Sequence, residues 1–329
     1  MTAASFDILC IGNAIVDVVA RTEDAFLSKH DMRKGGMGLI DAAAADALYG
    51  AMPPGMESSG GSAANTAAVA AGLGARVAYF GKVADDQLGG VFRHDITAAG
   101  VHFPSRPLVG GAPTARCLIM VTPDAQRTMN TFLGACVTLG EADVDEALVA
   151  DSAVTYLEGY LFDPPAAQAA FYRAAAAAHA AGRKVALSLS DAFCVDRHRS
   201  AFRDLVAGHV DILFANETEI CSLYEANEFS LAAEAARQDV GLAALTRSEA
   251  GSVIVTPEHT FDIGPVPAEV LDTTGAGDAY AAGFLAALTA GKPLEYCGRL
   301  GSAAAAAAIS QYGARPPQSE LQLLAARIA

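Results

Sequence analysis

The stretch Asp272-Thr273-Thr274-Gly275-Ala276-Gly277-Asp278 runs without a break into Ala279-Tyr280-Ala281-Ala282-Gly283-Phe284-Leu285, a row of mostly small residues. Two glycines one residue apart let the backbone turn its amides toward one point. A helix starting there adds its own unpaired N–H groups and the positive end of its dipole. Together these make an anion hole with the carboxylate of Asp278 at its rim. Amides that hold a moving phosphoryl group, beside an acid that takes a proton from an attacking hydroxyl, suit phosphoryl transfer. The plainer reading of the same residues is a glycine-rich turn before a core helix, with Asp278 as a partner for its dipole. A short glycine motif alone does not separate the two.

Bulk properties narrow the field. The chain has 329 residues, 52% hydrophobic and 18% charged, enough for a large α/β unit with a substantial core. Its 22 Lys+Arg and 37 Asp+Glu leave a formal charge of −15, which argues against nucleic acid or an anionic membrane as partner. One phosphate-bearing ligand is not excluded, since local amides and a few cations suffice for it. The six cysteines are scattered with no CxxC pair, as in a reduced cytoplasmic protein. The apolar N-terminal run Phe6–Ala20 holds Asp7, Asn13 and Asp17 and has no basic leader, so it does not read as a signal peptide. No run of about 18 uncharged apolar residues resembles a membrane span.

Along the chain, Asp7–Asn13 reads as a buried strand stopping at a Gly-Asn turn. Asp17, inside Ile15-Val16-Asp17-Val18-Val19, is costly there unless it faces water on an edge strand or accepts hydrogen bonds from ligand hydroxyls. A helix is expected from near Asp41. Gly60-Gly61-Ser62-Ala63-Ala64-Asn65 is a second glycine–helix junction, opening a small-residue helix that ends at Gly72 or Gly74. Asn65, one turn in, is either a satisfied core amide or a ligand contact. Val77–Phe80 is a strand, and Gly81–Gly89 turns into another helix. Gly81-Lys82 is no Walker A loop, since no glycine stands five residues before Gly81 and Val83 replaces Ser/Thr. Residues 101–134 suggest a small antiparallel sheet.

From about residue 150, strands at 153–157, 184–189, 210–214, 241–246 and 252–256 alternate with helices at 166–181, 196–207 and 217–225, the rhythm of a parallel sheet covered on both faces. Ligands in such folds sit at the carboxyl ends of the strands, where Asn13, Asn216, Thr246 and the 272–278 loop should converge. Asn216 with Glu219 three positions on reads as a capping box, or as a pair holding magnesium through water beside nucleotide phosphates. Two last helices span 276–289 and 294–309, with Pro316-Pro317 as the stop. A dinucleotide oxidoreductase is disfavoured because Tyr280 stands where a third glycine belongs. A binding-only regulator is disfavoured because binding needs no base.

In this order Gly60-Gly61-Ser62 to Asn65, Gly81 to Gly89, Asn216-Glu217-Thr218-Glu219 and Asp272–Asp278 resemble the ribokinase-like sugar and nucleoside kinases, the PfkB family, over essentially the whole chain. Within the family, Phe26–His30, Leu187–Phe193 and Asp211–Glu219 look most like the adenosine kinases. The resemblance implies one ribokinase-like catalytic domain over 1–329, an α/β three-layer sandwich with a mainly parallel central sheet. It also implies a small β-sheet lid from roughly 14–40 and 101–134 that closes to exclude water. The reaction implied is ATP-dependent phosphorylation of the 5′-hydroxyl of adenosine. The alternative is another PfkB kinase acting on a sugar (ribose, fructose) or on inosine or guanosine. Asp278 would be the base, with the amides of Gly275, Ala276 and Gly277 on the phosphoryl group. Asp17 would bind ribose hydroxyls, with Asn13, Gly60, Gly61, Ser62 and Asn65 around it, and Arg127 would be a lid arginine approaching the phosphates. Asn216 and Glu219 would serve Mg2+·ATP, Glu219 holding the metal through water, while Thr246, Gly251 and Thr274 line the nucleotide site. A monovalent cation (K+) near Asp272 and Thr274 is a further implication. The position where animal adenosine kinases place a base-stacking phenylalanine carries Leu161, flanked by Tyr160 and Phe162. Monomer and homodimer are both compatible with this picture.

Overall fold

The computed structural model describes residues 4–124 and 126–327. Its strands are β1 (Phe6–Ile11), β2 (Ile15–Arg21), β3 (Met37–Leu39), β4 (Met56–Gly60), β5 (Val77–Phe80), β6 (Ala115–Val121), β7 (Arg127–Phe132), β8 (Ser152–Glu158), β9 (Lys184–Ser188), β10 (Ile212–Asn216), β11 (Leu242–Thr246), β12 (Ser252–Val255) and β13 (Thr260–Ile263). Eight of them form a central sheet in the order β13-β12-β11-β10-β9-β8-β1-β5, parallel from β5 to β11.

Both faces of this sheet are buried because apolar residues occupy both sides of the pleat. Ile8 and Cys10 of β1 join one core cluster, whereas Leu9 and Ile11 join the other. The same alternation separates Ile212 and Phe214 from Leu213 and Ala215 on β10. The first cluster is covered by helices Ser62–Gly72, Ala276–Thr289 and Leu294–Ile309, the second by Pro165–Ala180, Ala192–His209 and Glu217–Tyr224. The result is a three-layer α/β sandwich. Strand order reverses around β1, so the carboxyl ends of β1 and β8 face the crevice where such folds bind ligands.

Several expectations are corrected here. The parallel rhythm stops at β11, because the Arg247–Gly251 turn is far too short for a crossover, and β12 and β13 pair antiparallel. A third terminal helix, Gln318–Arg327, follows Pro316-Pro317, since a proline that cannot continue one helix can stand just before the next, its carbonyl accepting from the Glu320 and Leu321 amides. The second sheet has the order β3-β7-β6-β2-β4 and is mixed rather than antiparallel. The segments 14–40 and 101–134 supply four of its strands, and the fifth, β4, lies outside both. Asp17 is therefore on an interior strand, between Ser58 of β4 and Cys117 of β6, and the edge-strand reading falls. The cysteines are unpaired among the described residues. No helix of the described residues is long and apolar enough to cross a membrane.

The helix that begins in the glycine loop is held by close packing. A Cβ on Gly283 would lie 2.7 Å from the Leu300 carbonyl oxygen, and one on Gly301 would lie 2.8 Å from that of Tyr280. Backbone here meets backbone, so neither helix can yield by a rotamer change. Gly283→Ala should destabilise the protein by roughly 1–3 kcal/mol through overpacking, read as a lowered urea midpoint at unchanged slope. An unshifted midpoint would show that the two helices separate easily.

Candidate active site

The loop before helix Ala276–Thr289 is fixed from three directions. Asp272 Oδ1 accepts from the Thr274 amide at 3.0 Å and its hydroxyl at 2.6 Å, while Oδ2 accepts from the Gly313 amide at 2.9 Å. Arg127 of β7 reaches the same Oδ2 at 2.6 Å and donates to Thr274 Oγ1 at 3.1 Å. Burial pushes the Asp272 carboxyl up, but the Thr274 and Gly313 hydrogen bonds and the Arg127 charge hold it below its ordinary range. Gly275 takes φ +76° as N-cap, and a Cβ there would lie 2.5 Å from that of Ala314. No side chain among the described residues caps this helix, and a Cβ on Gly277 would meet nothing within 4 Å. The Ala276 amide donates to the Thr273 carbonyl oxygen at 3.3 Å, while those of Gly275 and Gly277 have no backbone or side-chain acceptor among the described residues, so part of the expected anion hole is open.

Asp278 stands one turn into this helix. Ser62 Oγ donates to its Oδ1 at 2.6 Å, and Asn65 Nδ2 donates to Oδ2 at 3.1 Å. The second glycine–helix junction therefore meets the first, 216 residues away in sequence. A helix N-terminus alone would keep Asp278 strongly acidic, but burial outweighs it. The carboxyl is pushed up to about 6, against the lowering from Ser62, Asn65 and Arg315.

Beside these groups lies a cavity of about 1750 Å3, whose lining includes Asp17, Ser59, Asn65, Arg127, Thr274 and Arg315. Asp278 is not itself in the lining, but Asn65, which donates to it, is. Asp17 has no hydrogen-bond partner among the described residues, and burial pushes it up to about 6 despite Arg315 and Arg127. A Cβ on Gly60 would lie 2.3 Å from Asp17 Oδ2, so only glycine fits beside that carboxylate. Val19, Phe26, Ile119 and Val121 form an apolar stretch of the same wall.

Other expected residues sit at the same edge in different company. Asn13 is turned away from the cavity: its Nδ2 donates to Glu158 Oε1 at 2.7 Å, and its Oδ1 is buried without a partner. Gly61 is the N-cap of helix Ser62–Gly72. Asn216 and Glu219 form a reciprocal capping box, with Asn216 Nδ2 also donating to Glu219 Oε1 at 2.6 Å. Thr246 lies directly opposite Asn216 on the neighbouring strand, and Gly251 closes the turn into β12.

Two implied ions fare differently. The donor set at Asp272 does not suit a monovalent cation, because both oxygens are already taken by Arg127, Thr274 and Gly313. No group of three or more His, Cys, Asp or Glu among the described residues could hold a metal directly. Glu219, however, is pushed up to about 7 by burial and by the charges of Asp191 and Asp278. A water-held divalent cation fits that crowded field. The Leu161 departure also changes meaning. Leu161 is fully buried in the second core cluster and does not line this cavity, while Phe162 stacks on Phe202 and Tyr160 is the exposed one of the three.

Two functional-edge residues escaped sequence reasoning. Glu158, at the end of β8, accepts from the amide and side chain of Asn13 and from the Ala63 amide, and burial pushes it up to about 7. An acid closing an apolar strand, like the Asn13 turn beside it, was the available signal. Arg315, between helices Leu294–Ile309 and Gln318–Arg327, lies in a loop read only as a stop, and nothing local marked it.

Compared with known proteins, residues 51–321 match the pfkB family carbohydrate kinases. The crystal structure of adenosine kinase from Sinorhizobium meliloti superposes with a TM-score of 0.90 at 54% identity, covering 99% of this chain and 100% of that one. A probable sugar kinase protein from Rhizobium etli CFN 42 gives 0.90 at 50% identity over 98% of each chain. An ATP-dependent ribose-1-phosphate kinase from Halopiger xanaduensis is 30% identical over 252 residues, 75% of this chain and 80% of its own.

The Glu158 contacts set a stability test for the junction. Glu158→Ala strips the acceptor from three buried N–H groups and should cost at least about 2 kcal/mol in urea unfolding. A cost near zero would mean that water replaces the carboxylate and that the junction does not depend on it.

Proposed function

The chain belongs to the pfkB carbohydrate kinase family, and we propose that within it this kinase uses ATP to phosphorylate the 5′-hydroxyl of adenosine. The observation that carries the reading is a pair of carboxylates of unlike setting. Asp17 faces the cavity without a partner, and Asp278 is fixed between Ser62 and Asn65 beside the open amides. Asp17 is suited to accept from the two ribose hydroxyls, which leaves the 5′-hydroxyl toward Asp278. The amides of Gly275, Ala276 and Gly277 hold the transferring group, and Asp278 receives the proton. Arg127, drawn from the small sheet, adds positive charge at the loop. We place the nucleotide along Asn216, Thr246, Gly251 and Thr274, with Glu219 holding magnesium through water. When bound, magnesium supplies charge neutralisation to the phosphates. The small sheet, covering the cavity, acts as the lid.

Adenosine is favoured over a phosphorylated sugar by the pattern along β2. Asp17, Val19 and Arg21 line the cavity in turn, so the position next to the sugar is apolar and suits a base. Arg21 lies four residues beyond Asp17, roughly 13 Å along the strand. A sugar or sugar-phosphate acceptor that reached it is the second reading.

A coupled ADP-release assay over adenosine, inosine, guanosine, ribose, fructose and ribose 1-phosphate decides the acceptor. Adenosine should give the highest kcat/KM, and preference for any other compound overturns the adenosine assignment. Asp278→Asn should lower kcat by roughly 10²–10⁴-fold while adenosine binding measured by calorimetry survives. Because Asp17 and Asp278 are both raised to about 6, kcat/KM should fall as pH drops through about 6. Retained turnover in Asp278→Asn would remove Asp278 from the mechanism.

A further inference from the structure

Arg315 bonds at once to the small sheet and to the helix whose Asn65 holds Asp278. Its Nε donates to Asn65 Oδ1 at 2.8 Å, and its Nη1 donates to Ser59 Oγ at 2.7 Å. Asn65 passes its other end, Nδ2, to Asp278. A guanidinium only donates and an ionised carboxylate only accepts, so the amide between them has a single satisfied orientation. Each of its hydrogen bonds is charge-assisted, and each polarises the other. Ser59 belongs to β4 of the small sheet and is itself held through its amide by Asp95 Oδ2 at 2.8 Å, with that carboxylate 3.6 Å from Arg315 Nη1. Two nitrogens of one planar fork therefore serve two elements in a fixed geometry, which a single rotating lysine ammonium reproduces only in part.

We propose that Arg315 is a positioning residue for the proton acceptor, fixing Asn65 against Asp278 and making that contact depend on β4 being in place. The proposal rests on the reading of Asp278 as the base. The contact also has an electrostatic side. Arg315 is the cation that lowers the proton affinity of Asp278, and it pulls Asp17 the same way. The other ionisable groups that share the field of Asp278 are Asp17 on β2, Glu158 on β8 and Glu219 beyond β10, with the neutral Cys10, Tyr156 and Tyr160. Three of these are carboxylates, so removal of Arg315 leaves Asp278 facing acids and neutral groups.

The experiment compares Arg315→Met and Arg315→Lys, each alone and combined with Asn65→Ala, by steady-state kinetics across pH. Arg315→Met should lower kcat by roughly 10–100-fold, a fraction of what a positioned base contributes, while the KM for ATP stays within about twofold. The acid limb of kcat/KM should move to higher pH, because the charge favouring ionised Asp278 is gone. Arg315→Lys should recover part of kcat and the original limb. In the Asn65→Ala background, Arg315→Met should add less than about threefold, since both variants break one chain. Additive losses in the double variant, or an unchanged kcat with only a lowered melting temperature, overturn the proposal and leave Arg315 as a structural clamp. If Arg315→Met does not fold, the Lys variant carries the same comparison. An inactive Asp278→Asn beside a fully active Arg315→Met sinks this inference alone, whereas an active Asp278→Asn sinks the base reading beneath it.

Discussion

Four acids crowd together where one edge of the central sheet meets the small sheet, and keeping them there shapes the rest of the site. Asp17 and Asp278 are raised to about 6, Glu158 and Glu219 to about 7, and in each case burial is the first cause. Such a cluster is unfavourable unless donors and positive ends are set against it. The structure meets this with neutral donors, amides and one hydroxyl, rather than with many cations. Asn13 and Ala63 serve Glu158, Asn216 serves Glu219, and Ser62 and Asn65 serve Asp278. Only Asp17 is left without such a donor, and it is the one that opens onto the cavity.

The two arginines at this edge come from opposite ends of the architecture, which explains why distant segments converge. Arg127 leaves the small sheet to reach Asp272, and Arg315 leaves the C-terminal loop to reach Ser59 and Asn65. Each crosses between the small sheet and the main body, in opposite directions. Val16, Val18, Leu118 and Met120 of the small sheet also belong to the same apolar cluster as helix Ala276–Thr289. The small sheet is thus joined to the body by an apolar root and by polar contacts at its rim. Those rim contacts lie where the phosphoryl group and the acceptor are proposed to meet.

What could be read from the chain follows from the range of each interaction. The glycine–helix junctions, the capping box at Asn216 and the alternating strands are local patterns, and the structure reproduces them. The capping box shows the limit of such reading, since its local role is fully met whether or not a metal lies nearby. Arg315 and Glu158 act on partners 250 and 95 residues away, and no local pattern encodes that. The β4 strand was missed because Met56-Glu57-Ser58-Ser59-Gly60 has little apolar alternation and earns its place by pairing with β2. Leu161 matches a base-contacting position only by its neighbouring letters; the chain there forms a short 3-10 turn, Gly159–Phe162, that packs Leu161 and Phe162 alike into the second core cluster. The setting of Asp278 was legible only in part: the helix start is local, whereas Ser62, Asn65 and Arg315, which act on its carboxylate against burial, come from distant segments.

That setting bears on how the proposed reaction would run. With its carboxyl pushed up to about 6, Asp278 is a stronger base than a free aspartate while still ionising below neutral pH. In a loose transition state the alcohol proton leaves late, so the base needs to be ionised and correctly placed more than it needs to be strong. Its two oxygens differ in this respect. Oδ2 is held by Asn65, whose amide Arg315 locks from the far side, and it cannot give up its donor without unpairing the guanidinium. Oδ1 is held by the Ser62 hydroxyl, which rotates about one bond and exchanges donor for acceptor without leaving its place. The Ser62 side is therefore where an incoming proton is accommodated at least cost. On this geometry the fixed arm sets the position of the base, and the rotating arm leaves it free to react.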